Sequence, residues 1–336
     1  MLTIGAVSKF RSKFIKTNTN EGVQRKPKTK KILLKSDFPS CPTCKLSRWV
    51  QVYKGPLRSG AYPKTVEGQI CRCKKCGLER LAESKCLAKT QYVNEGYRKS
   101  LNQTFDPKRY CELHKALPSI ILERQKLCSL FGKQVADIGC GGGALFHLLG
   151  RVRNHLLAIE PSVGWSNHLI KQGYQWYPTI EKALKIWAGT IDFAFAIQVI
   201  EHVENPVKFL KMISSLLSSN GRLILTTPNK NEILMKIVPK SFKKHFYRCQ
   251  HRWYFNQQSL EKAIIVAGLK IEKKDFIHRY GIENIINWII YGCPQKKFLN
   301  KIFFKKYNKI WKNKIEKIGE AETILFIIKN ERYPQI

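Results

Sequence analysis

The sequence has few acidic residues and no long apolar run. Only 24 Asp and Glu accompany 60 Lys and Arg among 336 residues, which gives a formal net charge of +36. No apolar stretch reaches the roughly 18 residues that a membrane-spanning helix requires. The basic start, apolar stretch and small-residue cleavage site of a secretory signal are also missing. We therefore expect a cytoplasmic protein without a transmembrane segment.

The excess of positive charge has two explanations that the sequence does not separate. Such a field attracts polyanions, which include nucleic acid, anionic lipid headgroups and phosphorylated substrates. The same excess accompanies the abundance of Lys, Ile and Asn that is typical of proteins from AT-rich genomes. Residues 1–35 contain ten Lys and Arg and one Glu, which indicates a solvated basic tail. A mitochondrial presequence is the alternative interpretation of this segment.

The eleven cysteines do not indicate a disulfide framework in a chain of this length without a secretory signal. Two Cys-x-x-Cys pairs, Cys41 with Cys44 and Cys73 with Cys76, instead have the spacing of a four-thiolate zinc site. Four protein ligands leave no open position for water, so we expect Zn²⁺ to have a structural role. Cys71 is then a spare thiol or an alternative ligand.

From Lys133 onward, strand and helix patterns alternate. The predicted strands are Val135–Ile138, His155–Ile159, Tyr174–Tyr177, Ile191–Ile197 and residues 222–227, and the predicted helices are Ala144–Leu149, Val163–Lys171, Glu181–Trp187, Val207–Ser218 and Ser259–Ala267. Asn220-Gly221 is expected to end the fourth of these helices. Alternation of this length predicts an α/β fold with a parallel, doubly wound sheet.

Six segments follow from these patterns. They are a basic tail (1–35), a zinc-binding module (36–90), a linker running into a helix (91–130), an α/β core (131–276), a helical insertion or lid (277–320) and a last core strand with the C-terminus (321–336).

Residues 135–149, "VADIGCGGGALFHLL", place four glycines between a strand and a helix. Ligands of doubly wound sheets bind beyond the carboxyl ends of the strands, and glycines there let the backbone approach a ligand closely. Glu160 ends the next strand, where it can accept the hydroxyls of a ribose. Asp137 precedes the glycines. A carboxylate so close to the loop would repel a pyrophosphate and suits a cation such as an ammonium group.

This arrangement resembles the first motif of the class I S-adenosylmethionine (AdoMet) methyltransferases. The stretches "LLAIEPS", "IDFAFAIQVIEHVENP" and "LSSNGRLILTTPN" resemble the second motif, the fourth strand and the fifth strand of that family. The resemblance covers about residues 133–276 and a final strand at 322–328. It implies a Rossmann-like, seven-stranded methyltransferase sheet and an enzyme that uses AdoMet.

The resemblance also implies roles for individual residues. The methionine part of AdoMet would be held by Asp137 and by the loop backbone of Gly139, Cys140, Gly141 and Gly143. Glu160 would bind the ribose hydroxyls, and Gln198 would line the floor beneath the sulfonium. A base is needed only if the acceptor must lose a proton. The candidates are His202 and His251, and a packing or capping role is the alternative for His202.

A narrower resemblance concerns the acceptor. A four-cysteine module, a tyrosine-rich joint and a methyltransferase core together resemble bacterial methyltransferases of sugar and cell-surface polysaccharide biosynthesis. Residues 278–294 resemble an insertion of that group, so Arg279, Tyr280, Asn284 and Trp288 would overhang the pocket. The implied acceptor is a sugar, a nucleotide-sugar or a lipid-linked glycan precursor.

Three alternatives remain open from the sequence. Residues 296–317 form a basic amphipathic pattern, which fits either peripheral contact with an anionic membrane or a lid helix that packs on the domain. The zinc module and the lysines would also suit an RNA methyltransferase, although we find no Asn-Pro-Pro-Tyr-like motif. The third alternative is a non-catalytic scaffold that keeps the AdoMet fold.

Overall fold

The structure, a computed structural model, describes residues 37–330 apart from several short gaps. The gaps are residues 62, 95, 104, 128, 129, 131, 151–155 and 295–300, and the side chains at 301–303 and 305 are also outside the described set. The chain divides into two compact units, Met1–Leu34 and Lys35–Ile336, and only the second contains described residues. The expected basic tail therefore lies outside the described part.

Eleven strands occur among the described residues. They are β1 (Trp49–Arg58), β2 (Thr65–Cys73), β3 (Glu79–Leu81), β4 (Val135–Ile138), β5 (Leu156–Ile159), β6 (Gln175–Tyr177), β7 (Ile191–Ile197), β8 (Leu217–Pro228), β9 (Trp253–Tyr254), β10 (Leu269–Ile277) and β11 (Thr323–Asn330).

The same part of the chain contains thirteen α-helices. They are α1 (Lys89–Val93), α2 (Gly96–Ser100), α3 (Pro107–His114), α4 (Ala116–Arg124), α5 (Ala144–Leu149), α6 (Val163–Lys171), α7 (Ile180–Trp187), α8 (Pro206–Leu216), α9 (Leu234–Ile237), α10 (Pro239–Phe246), α11 (Gln257–Val266), α12 (Ile282–Tyr291) and α13 (Lys301–Lys317).

Seven strands form one large sheet in the order β10-β11-β8-β7-β4-β5-β6. The pairs among β4 to β8 are parallel, whereas β11 is antiparallel to both β8 and β10. Every residue of β4 and β5 is buried, as expected of central parallel strands whose two faces are both covered. The predicted Rossmann-like α/β fold with a seven-stranded sheet is confirmed.

Two neighbouring predicted boundaries are wrong, namely the end of the fourth predicted helix and the start of the strand that follows it. Helix α8 ends at Leu216, before Asn220-Gly221, and β8 already begins at Leu217. Leu217 has extended backbone, is fully buried and pairs with Ile191 of β7. Because that tertiary contact buries the leucine side chain, the strand prevails over the local helical pattern.

The N-terminal segment forms a second, antiparallel sheet in the order β1-β2-β3-β9. Its last strand comes from the second half of the chain, since Glu79 and Arg80 of β3 pair with Tyr254 and Trp253 of β9. The buried Glu79 carboxylate accepts hydrogen bonds from Lys230 Nζ at 3.0 Å and Tyr247 Oη at 3.0 Å. The cysteine-rich segment is therefore joined to the core by backbone pairing and by a buried ion pair.

Along the chain, helices α12 and α13 connect β10 to β11. On α13, Ile315 is buried, whereas Tyr307 and Ile310 are exposed. The helix thus packs part of its apolar face and leaves the rest uncovered. No helix in the described ranges combines the length and the apolar character needed to cross a membrane.

Candidate active site

A large cavity of about 900 Å³ opens at the carboxyl ends of β4, β5 and β7. Five of the residues selected from the sequence contribute to its wall: Gly139, Glu160, Gln198, His202 and His251. Asp137 lies behind the wall at the end of β4, and Cys140, Gly141 and Gly143 form the loop beside it. The structure therefore brings three of the predicted donor residues and both candidate bases to one cavity.

The loop after β4 requires glycine for its backbone conformation. Gly139, Gly141 and Gly143 have φ values of +74°, +54° and +80°, in the left-handed region that side chains disfavour. A Cβ at Gly139 would also lie 2.6 Å from a methyl group of Val199. Gly139 is half-buried and contributes to the cavity wall, whereas Gly141 and Gly143 are buried, with Gly141 against Tyr110.

Two buried carboxylates meet at the same edge of the sheet. Asp137 and Ala158 are register partners on β4 and β5, which brings Asp137 close to Glu160 two residues further on. The Glu160 carboxylate accepts hydrogen bonds from the amides of Gly141 at 2.8 Å and Ser162 at 2.9 Å. Burial and the neighbouring Glu160 raise the pKa of Asp137 to about 8, and burial also raises the pKa of Glu160.

The cavity wall also contains residues that the sequence analysis did not assign to the site. Tyr92, Tyr97, Arg98 and Tyr110, from helices α1 to α3, contribute to the cavity wall. The Arg98 guanidinium lies 4.8 Å from the centre of the Tyr110 ring, a cation–π distance. Helix α3 did carry a local signal, because Asp106 caps its N-terminus and Pro107 follows.

His202 and His251 lie together in the cavity wall, where His202 contacts the rings of Tyr92 and Tyr97. Their rings are nearly perpendicular with centroids 4.8 Å apart, and the buried Glu201 completes a cluster whose polar atoms lie within 4.8 Å of one another. His202 Nδ1 lies 2.6 Å from the carbonyl oxygen of Gln250. Because that oxygen can only accept, Nδ1 carries the proton and Nε2 keeps a free lone pair. Burial lowers the pKa of His202 to about 4, so its ring is neutral at pH 7.

The segment between β10 and β11 contributes the four residues that the sequence predicted to overhang the pocket. Arg279, Tyr280, Asn284 and Trp288 all belong to the wall. Arg279 is paired with the buried Glu322, and Trp288 packs edge to face on Phe242 with centroids 5.0 Å apart. The insertion therefore forms part of the cavity wall.

The four selected cysteines converge at a site outside the cavity. The sulfur atoms of Cys41, Cys44, Cys73 and Cys76 lie within 4.8 Å of one another, with Cys41 to Cys76 at 3.5 Å and Cys44 to Cys73 at 3.3 Å. Cys71 is buried in β2 and is not one of the group. Four thiols this close suit a soft divalent cation, because a tetrahedral zinc site places its sulfurs about 3.8 Å apart.

A seven-stranded, mostly parallel sheet with a glycine loop and two carboxylates at its switch point defines a Rossmann-like AdoMet-dependent methyltransferase. Residues 102–274, more than half of the chain, match the family described as "Methyltransferase domain", and the chain belongs to this family. The expectation of an AdoMet-dependent enzyme is thereby confirmed, and the scaffold alternative is not needed.

Individual relatives share the same core. The ubiquinone biosynthesis O-methyltransferase of Aeromonas salmonicida (strain A449) is 30% identical over 174 residues, which are 46% of this chain and 70% of the relative. The mitochondrial enzyme of that name from Rattus norvegicus is 27% identical over 43% of this chain and 46% of its own length. Among solved structures, a SAM-dependent methyltransferase from Archaeoglobus fulgidus covers 69% of this chain and 97% of its own, with a TM-score of 0.46 and 16% identity.

Proposed function

We propose that the protein transfers the methyl group of AdoMet to a hydroxyl of a sugar, a nucleotide-sugar or a lipid-linked glycan precursor. One observation supports this most: Glu160 and Gln198, which we assign to the donor, line the same cavity as His202, a neutral histidine whose Nε2 keeps a free lone pair. A proton acceptor beside the donor suits a hydroxyl acceptor, and the relatives are named O-methyltransferases.

In the donor half, buried charges match those of AdoMet. The Asp137 carboxylate would bind the ammonium group, the loop backbone would lie along the methionine chain, and Glu160 would accept the ribose hydroxyls. The Arg98 guanidinium lies against this loop at Gly141 and would bind the methionine carboxylate. Gln198 follows the end of β7 with a φ of +59° and would lie beneath the sulfonium.

In the acceptor half, alignment provides most of the rate enhancement, because a sulfonium methyl group is already activated. The acceptor oxygen forms a bond to the methyl carbon, and the electrons of the broken S–C bond go to sulfur, giving S-adenosylhomocysteine. The hydroxyl proton moves to His202 Nε2. The Gln250 carbonyl holds Nδ1–H and so fixes the orientation of the imidazole.

His202→Gln should separate catalysis from donor binding. Loss of the proton acceptor should lower kcat about 100-fold or more, while the Kd for S-adenosylhomocysteine should change little because His202 is not one of the residues assigned to the donor. His147→Gln, at an exposed position on α5, is the matched control. Undiminished kcat in His202→Gln would remove His202 from the mechanism.

AdoMet binding should strengthen as the pH rises from 6 to 7. In the free protein Asp137 is mostly protonated below its pKa of about 8, and an ammonium group binds the carboxylate form. Binding should therefore release a proton, and the affinity should rise by up to about tenfold over this interval. Calorimetry in buffers of different ionisation enthalpy measures that proton. Asp137→Asn should flatten the dependence, and an equally steep curve for this variant would contradict the assignment.

For the cysteine cluster, we propose that Cys41, Cys44, Cys73 and Cys76 bind a structural Zn²⁺ ion. The ion would supply positive charge to four thiolates, three of them buried, and hold the loop before β1 against the turn after β2. The cluster lies outside the wall of the large cavity, which supports a structural role.

The acceptor class is tested by supplying methyl-labelled AdoMet and the protein to fractions of a cell extract. Label in nucleotide-sugars or glycolipids is the expected result. Label confined to RNA would overturn the proposed substrate class and favour the RNA alternative.

A further inference from the structure

We propose that Arg58 and Arg248 form a subsite for a phosphate or diphosphate group of the acceptor. The inference rests on the proposed function, because the subsite lies in the cavity that would hold the acceptor.

The backbone fixes these two arginines side by side although 189 residues separate them in sequence. Arg58 ends β1 and forms a β-bridge with Arg248. The amide of Arg58 donates to the Tyr247 carbonyl at 2.9 Å, and the amide of Cys249 donates to the Arg58 carbonyl at 3.0 Å. Both side chains contribute to the cavity wall. Arg58 thus belongs to the N-terminal sheet, and Arg248 belongs to the α/β core.

Neither arginine has a carboxylate partner among the described residues, whereas other arginines of the same wall do. Arg279 pairs with Glu322, and Arg252 pairs with Glu83. The Nε atoms of Arg58 and Arg248 are buried and without a hydrogen-bond partner. One Nη of Arg58 contacts the His245 ring at 3.4 Å. Buried unpaired donors of this kind are costly unless a ligand satisfies them.

The surroundings of the pair leave its positive charge largely uncompensated. Burial and the neighbouring Arg248 lower the pKa of Arg58 to about 9, so Arg58 is still charged at pH 7, and burial also lowers the pKa of Arg248. Glu201 and Glu232 interact electrostatically with Arg248, and burial raises their pKa values to about 7 and about 8. At pH 7 neither carboxyl group therefore carries a full negative charge. The nearby His245 and His251 are neutral because burial lowers their pKa values.

Two adjacent guanidinium groups with these properties match a dianion better than a single carboxylate. Guanidinium groups bind phosphate oxygens through pairs of parallel hydrogen bonds. Nucleoside diphosphates and prenyl diphosphates both contain a diphosphate group, and the structure assigns only this shared group.

The test uses the full chain and inorganic pyrophosphate, measured by calorimetry at 150 mM salt, with S-adenosylhomocysteine binding measured on the same samples. Pyrophosphate should bind the unaltered protein, Arg58→Gln and Arg248→Gln should each weaken binding about tenfold or more, and the double variant should bind no more than weakly. Arg58→Lys should give an intermediate loss. Lys208→Gln removes an exposed cation of the same wall and should change little.

Undiminished pyrophosphate binding in the double variant, or none in the unaltered protein, would overturn the subsite. Malonate binding as tightly as pyrophosphate would overturn the phosphate assignment. S-adenosylhomocysteine binding by the variants shows that they fold. If the unaltered protein does not bind S-adenosylhomocysteine, the proposed function is refuted instead. Displacement of pyrophosphate by a nucleoside diphosphate or by a prenyl diphosphate, whichever is tighter, identifies the source of the group.

Discussion

Asp137→Asn is expected to weaken AdoMet binding about 100-fold, which corresponds to about 2.7 kcal/mol, because a buried carboxylate that binds an ammonium group has no substitute in this cavity. Asp137 is 5% exposed, and its neighbour Glu160 already accepts two backbone hydrogen bonds. Asparagine keeps the size and removes the charge. Isothermal calorimetry with AdoMet measures the loss.

Glu112→Gln is the control for this substitution, since it removes a carboxylate at an exposed position on α3. Its AdoMet affinity should equal that of the unaltered protein. An Asp137→Asn protein that melts normally and binds AdoMet as tightly as the unaltered protein would show that the ammonium group lies elsewhere.

Cys73→Ala is expected to remove the metal and to destabilise the whole second unit. Free energy of zinc binding contributes directly to folding, and a loss of about 4 kcal/mol lowers Tm by about 10 °C in a domain of this size. The effect should reach the cavity, because β1 ends at Arg58, a residue of its wall. Elemental analysis and thermal unfolding measure the two losses.

Cys71→Ala provides a matched control two residues away on β2. Cys71 is buried to the same degree as Cys73 but is not one of the four converging sulfurs. This variant should keep one zinc per chain and lose little stability. Equal zinc content in both variants, or no zinc in the unaltered protein, would contradict the four-thiolate assignment.

The donor half could be predicted because its signals are local. A buried apolar strand, a glycine loop and an acid at the end of the next strand occupy a short stretch from Asp137 to Glu160. Each element has a direct physical cause, and parallel strands bring their carboxyl ends together. The insertion residues Arg279 to Trp288 were selected by resemblance, and they belong to the wall of the cavity.

The acceptor half could be predicted only in part, because it depends on pairing between distant segments. The sequence around Arg58 gives no sign of the bridge to Arg248, and the two-residue strand β9 is too short for a pattern of its own. The orientation of His202 depends on a carbonyl 48 residues away. Likewise, Leu217 became a strand residue through its contact with Ile191.

The binding site of the methyl donor is tested most directly by a crystal structure with S-adenosylhomocysteine. We expect its ammonium group at Asp137, its chain along the loop from Gly139 to Gly143 and its ribose hydroxyls on Glu160, with the sulfur facing His202. Ligand density anywhere else, or no ligand density at saturating concentration, would contradict the assignment of these residues to the methyl donor.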